Sequence, residues 1–487
     1  MRKESATRFD EDRYQAARQG FLNRWPAYGD TAALDELRAS DYARLDALGE
    51  VYLDYTGAGL YGASQVREHV ALLESHVFGN PHSRNPASAQ MSEWVERGRR
   101  DVLEYFQASP EEYTVIFTPN ATGALKLVGE SYPFSPGSIY LLTFDNHNSV
   151  NGIREFARAR GARIRYIPLS IPGLLVDGEA LEAALADRPE GKNCLFAYPA
   201  QSNFSGAQHD LAWVGRAQAA GWDVLLDAAA YVPTNRLDLG RVKPEFVTLS
   251  FYKMFGYPTG IGCLIAKRSV LGRLHRPWFA GGTITVASVQ GDRYFLADGP
   301  EAFEDGTVDF LNIPGVEIGL KHLRRAGLER IHMRVRCLAE WLIHELNAMH
   351  HPNGLPLVRI YGPGPQGPRG GTVTMNFYGA DGRVIDHLRI EEFAAREHIS
   401  LRTGCFCNPG GGEAALGLRA EQLTACFNRP EVRQASRFTL EDLRMCIDAQ
   451  STGAVRVSFG IASNFRDAWR FAEFARSLIG CRADSLR

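Results

Sequence analysis

The sequence predicts an α/β fold built on a mainly parallel sheet. From about residue 111 to residue 270, short runs rich in Val, Ile, Leu and Phe alternate with amphipathic segments. This spacing of strand and helix is typical of a parallel sheet covered on both faces. After about residue 310 the pattern changes to a long helical segment followed by separate strands. We therefore expect a large α/β domain followed by a smaller α+β C-terminal domain.

The expected strands of the large domain are short apolar runs of ordinary strand length. A helix beginning near Ala121 follows the first strand, and a helix beginning near Ser149 follows the second. The predicted strands are Tyr113 to Phe117, Ser138 to Leu142, Arg163 to Ile167, Asn193 to Tyr198, Val224 to Leu226, Phe246 to Leu249 and Ile261 to Ala266.

The remaining segments predict the small domain and the domain boundaries. We expect residues 1–50 to pack with the small domain, residues 51–310 to form the large domain, and residues 311–487 to form the small one. The predicted elements after residue 310 are a helix from Leu328 to His350, a Pro/Gly loop from Tyr361 to Gly371, strands near Gly371 to Phe377 and Ile399 to Leu401, and a closing helix after Asn464.

One loop of the expected small domain matches the residue pattern of a dinucleotide-binding motif but not the structure that the motif needs. Residues 362–367 read Gly-Pro-Gly-Pro-Gln-Gly, which fits G-x-G-x-x-G. Two prolines lie inside the match and no helical pattern follows it, whereas the motif needs a helix whose N-terminus meets the phosphates. The segment is predicted to be a loop and not a dinucleotide site.

The composition of the chain argues against some classes of function. The 487 residues are 45% hydrophobic and carry 54 basic and 56 acidic side chains, a formal net charge of −2. Such a chain buries a large core and has no broad attraction to nucleic acid or membrane. The N-terminus has no apolar signal region, and no run approaches the roughly 20 apolar residues of a membrane span. We expect a cytoplasmic protein whose eight cysteines are buried thiols, apart from one site at Cys405 and Cys407.

A lysine and an aspartate at the ends of neighbouring strands indicate a cofactor. Asp227 ends one apolar run, and Lys253 follows the next. An acid and a lysine so placed bind pyridoxal phosphate (PLP): the lysine forms a Schiff base and the carboxylate keeps the pyridine nitrogen protonated.

Ser250-x-x-Lys253 also matches a serine-nucleophile signature, but the S-D-N and K-T-G motifs that accompany it are missing from the sequence.

Further polar residues follow other predicted strands. Ala121 and Thr122 begin a helix, where backbone amides and a hydroxyl suit a phosphate; an ordinary helix cap is the alternative. His147 can stack on the pyridine ring and shuttle protons, and Asn203 can donate to the phenolic oxygen of the cofactor. Because these residues all follow strands of a parallel sheet, we expect them to converge at one edge.

Ten segments in order resemble a known family. The sequence is similar to class V aminotransferases, and within them to the N-terminal cysteine desulfurase-like domain of molybdenum cofactor sulfurases. The resemblance implies a PLP-dependent transferase of fold type I with a seven-stranded type of sheet. It is carried by residues 52–59 (Tyr-Leu-Asp-Tyr-Thr-Gly-Ala-Gly), 80–83 (Asn-Pro-His-Ser), 117–122 (Phe-Thr-Pro-Asn-Ala-Thr), 145–150 (Asp-Asn-His-Asn-Ser-Val), 201–206 (Gln-Ser-Asn-Phe-Ser-Gly), 226–230 (Leu-Asp-Ala-Ala-Ala), 250–253 (Ser-Phe-Tyr-Lys), 281–283 (Gly-Gly-Thr), 402–410 (Arg-Thr-Gly-Cys-Phe-Cys-Asn-Pro-Gly) and 455–460 (Val-Arg-Val-Ser-Phe-Gly).

The resemblance also implies a role for each matching residue. Thr283 is implied to reach the phosphate of a neighbouring subunit, so a homodimer is expected. Arg456 is implied to bind the substrate α-carboxylate, which suits a planar bidentate donor. The other implied roles are Lys253 as the Schiff-base lysine, Asp227 as the partner of the pyridine nitrogen, His147 as the stacking residue, Asn203 as the phenolate donor, and Thr122 and Ser250 as phosphate ligands.

Cys407 stands where the family has the cysteine that takes sulfur from the substrate as a persulfide. The thiolate is the attacking form, and the surrounding Gly/Pro loop suits a residue that approaches substrate and then turns outward. Cys405 is then an accessory thiol. Half of a zinc site is the alternative, but no second C-x-C or C-x-x-C completes it.

The resemblance has departures that leave the sulfur acceptor open. The chain ends soon after Arg456, so we expect it to lack the C-terminal domain with which eukaryotic sulfurases bind the molybdenum cofactor, and residues 410–413 read Gly-Gly-Gly-Glu where those proteins commonly have Gly-Ala-Cys. We expect an L-cysteine desulfurase that acts on cysteine or a related amino acid and passes sulfur to an unknown acceptor. The alternatives are an aminotransferase or carbon–sulfur lyase of class V, or a non-catalytic sulfur-carrier or scaffold protein.

Overall fold

The computed structural model describes residues 10–434, 437–447 and 453–486. Within these ranges, no helix combines the length and the apolar character that a membrane crossing needs. The strands are β1 (Val51–Tyr52), β2 (Tyr113–Thr118), β3 (Ile139–Thr143), β4 (Arg163–Ile167), β5 (Leu169–Ser170), β6 (Leu175–Val176), β7 (Leu195–Pro199), β8 (Asp223–Asp227), β9 (Phe246–Ser250), β10 (Gly262–Lys267), β11 (Ile284–Ser288), β12 (Arg293–Leu296), β13 (Val358–Tyr361), β14 (Thr372–Phe377), β15 (Ile399–Ser400), β16 (Arg402–Gly404) and β17 (Ala454–Ser458).

The helices lie mostly between and after these strands. They are α1 (Glu11–Arg24), α2 (Ala33–Asp41), α3 (Arg44–Ala47), α4 (Ala63–Ser75), α5 (Pro86–Tyr105), α6 (Ala121–Ser131), α7 (Asn148–Asn151), α8 (Ile153–Ala159), α9 (Gly178–Ala186), α10 (Trp213–Ala219), α11 (Phe251–Phe255), α12 (Arg268–Leu271), α13 (Pro314–Ala326), α14 (Leu328–Asn347), α15 (His387–Arg396), α16 (Pro409–Leu416), α17 (Ala420–Phe427), α18 (Pro430–Arg433), α19 (Leu440–Cys446) and α20 (Phe465–Ser477).

The central sheet of the described chain has seven strands in the order β2-β10-β9-β8-β7-β3-β4. Strands β4, β3, β7, β8 and β9 pair in parallel, and β10 runs antiparallel to both of its neighbours, β9 and β2. Every residue of β3, β7 and β9 is buried, as expected for strands covered by helices on both faces. The predicted α/β fold with its mainly parallel sheet is confirmed, and the predicted strands match the seven observed ones closely.

The second half of the chain builds an antiparallel sheet in the order β13-β14-β17-β16. Helices α14 and α20 pack against each other beside it, and α20 begins at a capping box in which Asn464 and Asp467 each accept a hydrogen bond from the other's backbone amide. The N-terminal helices join this unit: the buried Arg38 pairs with Asp467 at 2.6 Å, and the buried Arg334 of α14 binds both oxygens of Asp35. These two pairs hold α2 and the residues just before it against α14 and α20.

The cysteines differ in part from the expectation of free thiols. Cys194, Cys263 and Cys337 are buried and free, whereas Cys426 and Cys446 form a disulfide between α17 and α19. The expectation is wrong for this pair. Its members are 20 residues apart in a part of the chain without a recognisable cysteine motif, so no sequence pattern indicates the pairing.

The hairpin formed by β11 and β12 is also missing from the predicted elements. Its two strands are nearly all exposed, and they lie between residue 270, where the predicted alternation of strands and helices ends, and residue 310, where the small domain is expected to begin. The hairpin follows the 281–283 turn directly, and it becomes relevant to subunit association below.

Candidate active site

A cavity of about 140 Å³ lies at the carboxyl ends of the parallel strands. The loops that leave β2, β3, β7, β8 and β9 all contribute to its lining, as ligand sites of open α/β sheets usually do. Of the residues predicted from sequence, it brings together Ala121, Thr122, His147, Asn203, Asp227, Ser250 and Lys253. The rest of the lining is Asn120, Leu125, Ser149, Pro199, Gln201, Ala229, Ala230 and Tyr252.

Lys253 and Asp227 form the charged centre of this cavity. Lys253 lies on α11, the short helix that follows β9, and Asp227 is the buried last residue of β8. Desolvation in the cavity lowers the pKa of Lys253, although the carboxylate of Asp227 opposes that change. A larger share of the amine is therefore neutral at neutral pH, and the neutral amine is the form that attacks a carbonyl carbon.

One end of the cavity is built to receive an anion. Helix α6 begins at Ala121 after the N-cap Asn120, whose side chain accepts from the Gly123 amide at 3.0 Å. The Ser250 hydroxyl accepts from the Ala121 amide at 2.9 Å, which leaves its own proton free to donate. The Thr122 hydroxyl lies 2.7 Å from that of Ser149. Hydroxyl donors at the positive end of a helix suit a phosphate group.

His147 enters the cavity from the loop after β3 as a neutral ring. Its Nδ1 accepts from the Ser149 amide at 3.1 Å, so the proton of the ring lies on Nε2. Burial and the positive charge of Lys253 lower the pKa of His147, although Asp227 opposes the change. A neutral imidazole can lie against an aromatic ring and still exchange protons through Nε2.

Asn203 is the point where the cavity meets the loop that carries Cys407. Its Nδ2 donates to the Phe406 carbonyl oxygen at 2.7 Å, and its Oδ1 accepts from Asn408 at 3.0 Å. One hydrogen of Nδ2 remains for a ligand, because an amide nitrogen carries two. The expected role as phenolate donor therefore stays a prediction that is compatible with these contacts.

The Cys407 loop is held in a strained backbone conformation. Phe406 and Cys407 have φ values of 56° and 54°, in the left-handed region that costs residues with a Cβ about 1 kcal/mol or more each. The Asn148 amide donates to the Cys407 carbonyl oxygen at 2.6 Å, which fixes the loop against α7. The Cys407 thiol is exposed, and Cys405 is half-buried.

Arg456 is buried in β17 beside the same loop. Its Nη2 donates to Asp54 Oδ1 and its Nη1 to the Asn203 carbonyl oxygen, both at 2.9 Å, while Nε has no hydrogen-bond partner among the described residues. The Phe406 ring lies 4.6 Å from the guanidinium carbon. The other oxygen of Asp54 accepts from Arg402 at 2.6 Å, so one carboxylate joins two arginines. Burial lowers the pKa of Arg456, although Asp54 opposes the change.

Thr283 does not line this cavity. It is buried in the turn before β11, where its hydroxyl donates to the Ala280 carbonyl oxygen at 2.7 Å and accepts from the Ala280 amide. The next position back, Gly282, lies against His82. The expected contact of Thr283 with a neighbouring subunit's phosphate stays a prediction.

The residues of the cavity fit PLP. A desolvated amine, a buried carboxylate and a neutral imidazole surround its centre, and a helix N-terminus with two hydroxyls closes one end. These groups match the aldehyde, the ring nitrogen, the ring face and the phosphate of that cofactor. The fold and the cavity together define a PLP-dependent enzyme of fold type I.

Comparisons with known proteins agree with this definition. The family described as aminotransferase class V matches residues 51–471, and the chain belongs to that family. It is 38% identical to molybdenum cofactor sulfurase of Bos taurus over 467 residues, which cover 91% of this chain and 51% of that protein. The chain thus spans about half the length of the curated relatives it matches.

Two solved structures have a fold similar to that of this chain, and their names describe different reactions. The apo cysteine desulfurase of Thermococcus onnurineus NA1 superimposes with a TM-score of 0.73 at 22% identity, covering 91% of this chain and 98% of that one. The cystine C-S lyase C-DES superimposes with a TM-score of 0.65 at 18% identity, covering 88% and 98%. Because proteins described as a desulfurase and as a lyase share the fold, the fold alone does not choose between these reactions.

Four residues that contact the functional groups of the site were not predicted from the sequence to have a function. They are Asp54, Arg402, Phe406 and Asn408. All four fall inside segments that carry the family resemblance. Their contacts join parts of the chain up to 402 residues apart, and no local sequence pattern records such a pairing.

Proposed function

We propose that this chain is an L-cysteine desulfurase that transfers the sulfur of cysteine to Cys407 and releases alanine. The observation that carries the proposal is the exposed Cys407 thiol on a loop that Asn148 and Asn203 bind to the rim of the cofactor cavity. A nucleophilic thiol at this place serves the transfer of sulfur to the protein, whereas transamination and lyase chemistry have no use for it.

Three residues of the cavity have tasks in the first half of the reaction. PLP, when bound, would supply an electron sink for the substrate's α-carbon. Asp227 would keep the ring nitrogen protonated, and His147 would pack on the ring face. Lys253 takes the α-proton, a task for which its lowered pKa suits it because the amine must be neutral to accept a proton.

Cys407 performs the second half. Its thiolate attacks the substrate sulfur, so that a sulfur–sulfur bond forms and the carbon–sulfur bond breaks. The electron pair of the broken bond returns to carbon, which takes up a proton. One cysteine and one protein thiol thus give one alanine and one protein persulfide, and the balance needs no external oxidant. Because Cys407 is exposed, a sulfur acceptor can approach the persulfide directly.

A product assay tests the proposal. Purified protein with PLP and L-cysteine is expected to release alanine, together with sulfide when a reducing thiol is present as acceptor. A carbon–sulfur lyase would release pyruvate instead, and an aminotransferase would release the keto acid of cysteine. Pyruvate or that keto acid as the main product would refute the desulfurase assignment while leaving the PLP enzyme intact.

Replacing Arg456 is expected to weaken substrate binding. Arg456→Lys loses the planar pair of donors for the α-carboxylate, a charge-assisted contact of about 1.5–3 kcal/mol. We expect KM for cysteine to rise about 10- to 100-fold with a smaller change in kcat, measured as alanine release. Arg359→Lys is the matched control, since Arg359 lies on β13 of the same antiparallel sheet but is exposed. Equal KM values for the two variants would remove Arg456 from substrate binding.

We further propose that a second copy of the chain covers the β11–β12 hairpin. Val289 at its tip is fully exposed, Phe295 is 60% exposed, and Phe279 stacks on Tyr294 beside them with ring centroids 4.3 Å apart. An apolar surface of this kind marks an interaction site. The partner is a second copy because Thr283, expected to serve a neighbouring subunit's phosphate, lies at the base of the same hairpin.

The association is tested with two substitutions of equal exposure. Phe295→Asp places a charge in the proposed interface, so we expect a monomer by light scattering at a concentration where the parent is a dimer, with weaker PLP binding. Leu388→Asp is the control, because Leu388 is also 60% exposed but lies on α15. A parent that is monomeric, or a Phe295→Asp variant that stays dimeric, would contradict the proposal.

A further inference from the structure

One buried amide side chain, that of Asn408, makes three of the hydrogen bonds that hold the loop carrying Cys407. Its Nδ2 donates to the Asp145 carbonyl oxygen at 2.7 Å and to Asn203 Oδ1 at 3.0 Å, while its Oδ1 accepts from the Gly411 amide at 2.9 Å. Asn408 has no exposed surface. A buried amide satisfied on both ends fixes the groups it joins, because breaking either bond leaves a buried polar atom unpaired.

The two ends of this amide serve different parts of the molecule. The Oδ1 end caps α16, which begins at Pro409 directly after it. The Nδ2 end ties the loop to the rim of the cofactor cavity, through the backbone of Asp145 and the side chain of Asn203. Only the second end concerns the reaction, and the two ends can be separated by substitution.

Asn203 extends the connection into the cavity. It lines the cavity and also holds the Phe406 carbonyl oxygen through Nδ2, at 2.7 Å. A pair of asparagine side chains, Asn408 and Asn203, therefore runs from the cavity to the two left-handed residues Phe406 and Cys407. Strained backbone of this kind persists only where surrounding contacts overdetermine it, and these two amides supply several of those contacts.

The packing around the loop leaves little freedom for another arrangement. Gly410 lies directly on the Phe144 carbonyl oxygen with no room for a Cβ, and the Phe406 ring lies between the Phe204 ring, at 5.4 Å, and the guanidinium of Arg456. The loop is thus anchored on one side by packing and on the other by the Asn408 amide. Loss of the amide donor removes two hydrogen bonds on the cavity side, to the Asp145 carbonyl oxygen and to Asn203, and leaves there the bonds from the Asn148 amide to Cys407 and from Asn203 to Phe406.

We propose that Asn408 is a positioning residue for sulfur transfer: through its Nδ2 it holds Cys407 at the position from which the thiol reaches the sulfur of the bound substrate. This inference rests on the proposed desulfurase function. It assigns no contact between Asn408 and substrate or cofactor, and its effect is confined to the step that Cys407 performs. Removal of the α-proton by Lys253 does not depend on it.

Asn408→Ser and Asn408→Ala separate the two ends of the amide. Serine keeps an oxygen that caps α16 but has no donor long enough to reach Asp145 or Asn203, whereas alanine loses both functions. Asn408→Asp is the third variant, which keeps the volume and the cap and also lacks the donor. Asn408→Asp takes the place of Asn408→Ser in the test if the serine variant does not fold.

Two readouts are measured on the PLP-loaded proteins. Exchange of the α-hydrogen of L-alanine in D2O, followed by NMR, reports the Lys253 step, and mass spectrometry of the protein with alanine release from cysteine reports the Cys407 step. For Asn408→Ser we expect exchange within about twofold of the parent and a 10- to 100-fold loss of persulfide formation, the size of effect that misplacement of a reacting group by about 1 Å produces.

Other outcomes overturn the inference. Parent-like persulfide formation in the serine variant with a loss only in the alanine variant would mean that the cap alone matters. A parallel loss of α-hydrogen exchange and persulfide formation in the serine and aspartate variants would mean a general structural role. A parent protein that forms no persulfide would refute the proposed function itself, and the inference with it.

Discussion

Cys407→Ser is expected to stop sulfur transfer almost completely while leaving the binding of PLP and cysteine unchanged. A serine hydroxyl is not ionised at neutral pH and is a far weaker nucleophile toward sulfur than a thiolate. Loss of a covalent nucleophile commonly lowers kcat by about 1,000-fold or more. Alanine release and the mass of the protein after incubation with cysteine measure the effect, and the change in the cofactor's absorption spectrum on adding cysteine measures binding.

Cys405→Ser is the matched control for this substitution. Cys405 lies two residues away on the same loop but is half-buried, and we expect its replacement to change alanine release by less than about threefold. Alanine release by Cys407→Ser at the parent rate would rule out the desulfurase mechanism and favour the other PLP reactions. A persulfide found on Cys405 in the parent protein would move the nucleophile to that residue.

Lys253→Ala is expected to have the second large effect. Without its amine the protein loses both the covalent attachment of PLP and the base that removes the α-proton. We expect alanine release to fall about 100- to 10,000-fold, the range for loss of a positioned general base. Borohydride reduction followed by peptide mass spectrometry is expected to place the cofactor on Lys253 in the parent and on no residue in the variant.

Lys126→Ala is the matched control for the lysine. Lys126 lies on α6, the helix that closes the phosphate end of the cavity, but its side chain is exposed. We expect this variant to keep both the cofactor linkage and activity. A reducible linkage that survives in Lys253→Ala would identify another lysine as the point of attachment.

The central sheet could be predicted from sequence because its parallel strands are buried on both faces. Such strands appear as short apolar runs, and in a parallel sheet the residue that follows each run falls at a common edge. For this reason the sequence alone predicts that Asp227 and Lys253, which end or follow successive strands, share one cavity. The two residues indeed line one cavity.

The contacts that hold the side chains of the site in place could not be predicted from the sequence, because they join distant parts of the chain. The bond between Asp54 and Arg456 spans 402 residues, and that between Asn408 and Asn203 spans 205. Neither pair has a periodic pattern, and an Asn beside a Pro is usually a helix cap or a turn. The exposed β11–β12 hairpin was not predicted for a different reason: its strands do not alternate between a buried and an exposed face.

The passage of sulfur from cysteine to Cys407 can be followed with cysteine labelled at sulfur. The PLP-loaded protein is incubated with the labelled substrate without an acceptor, alkylated, digested and analysed by mass spectrometry, and alanine is measured in the same sample. We expect one labelled sulfur atom on the peptide that contains Cys407 and an equal amount of alanine. Labelled sulfide and pyruvate in solution, with no label on that peptide, would contradict this expectation.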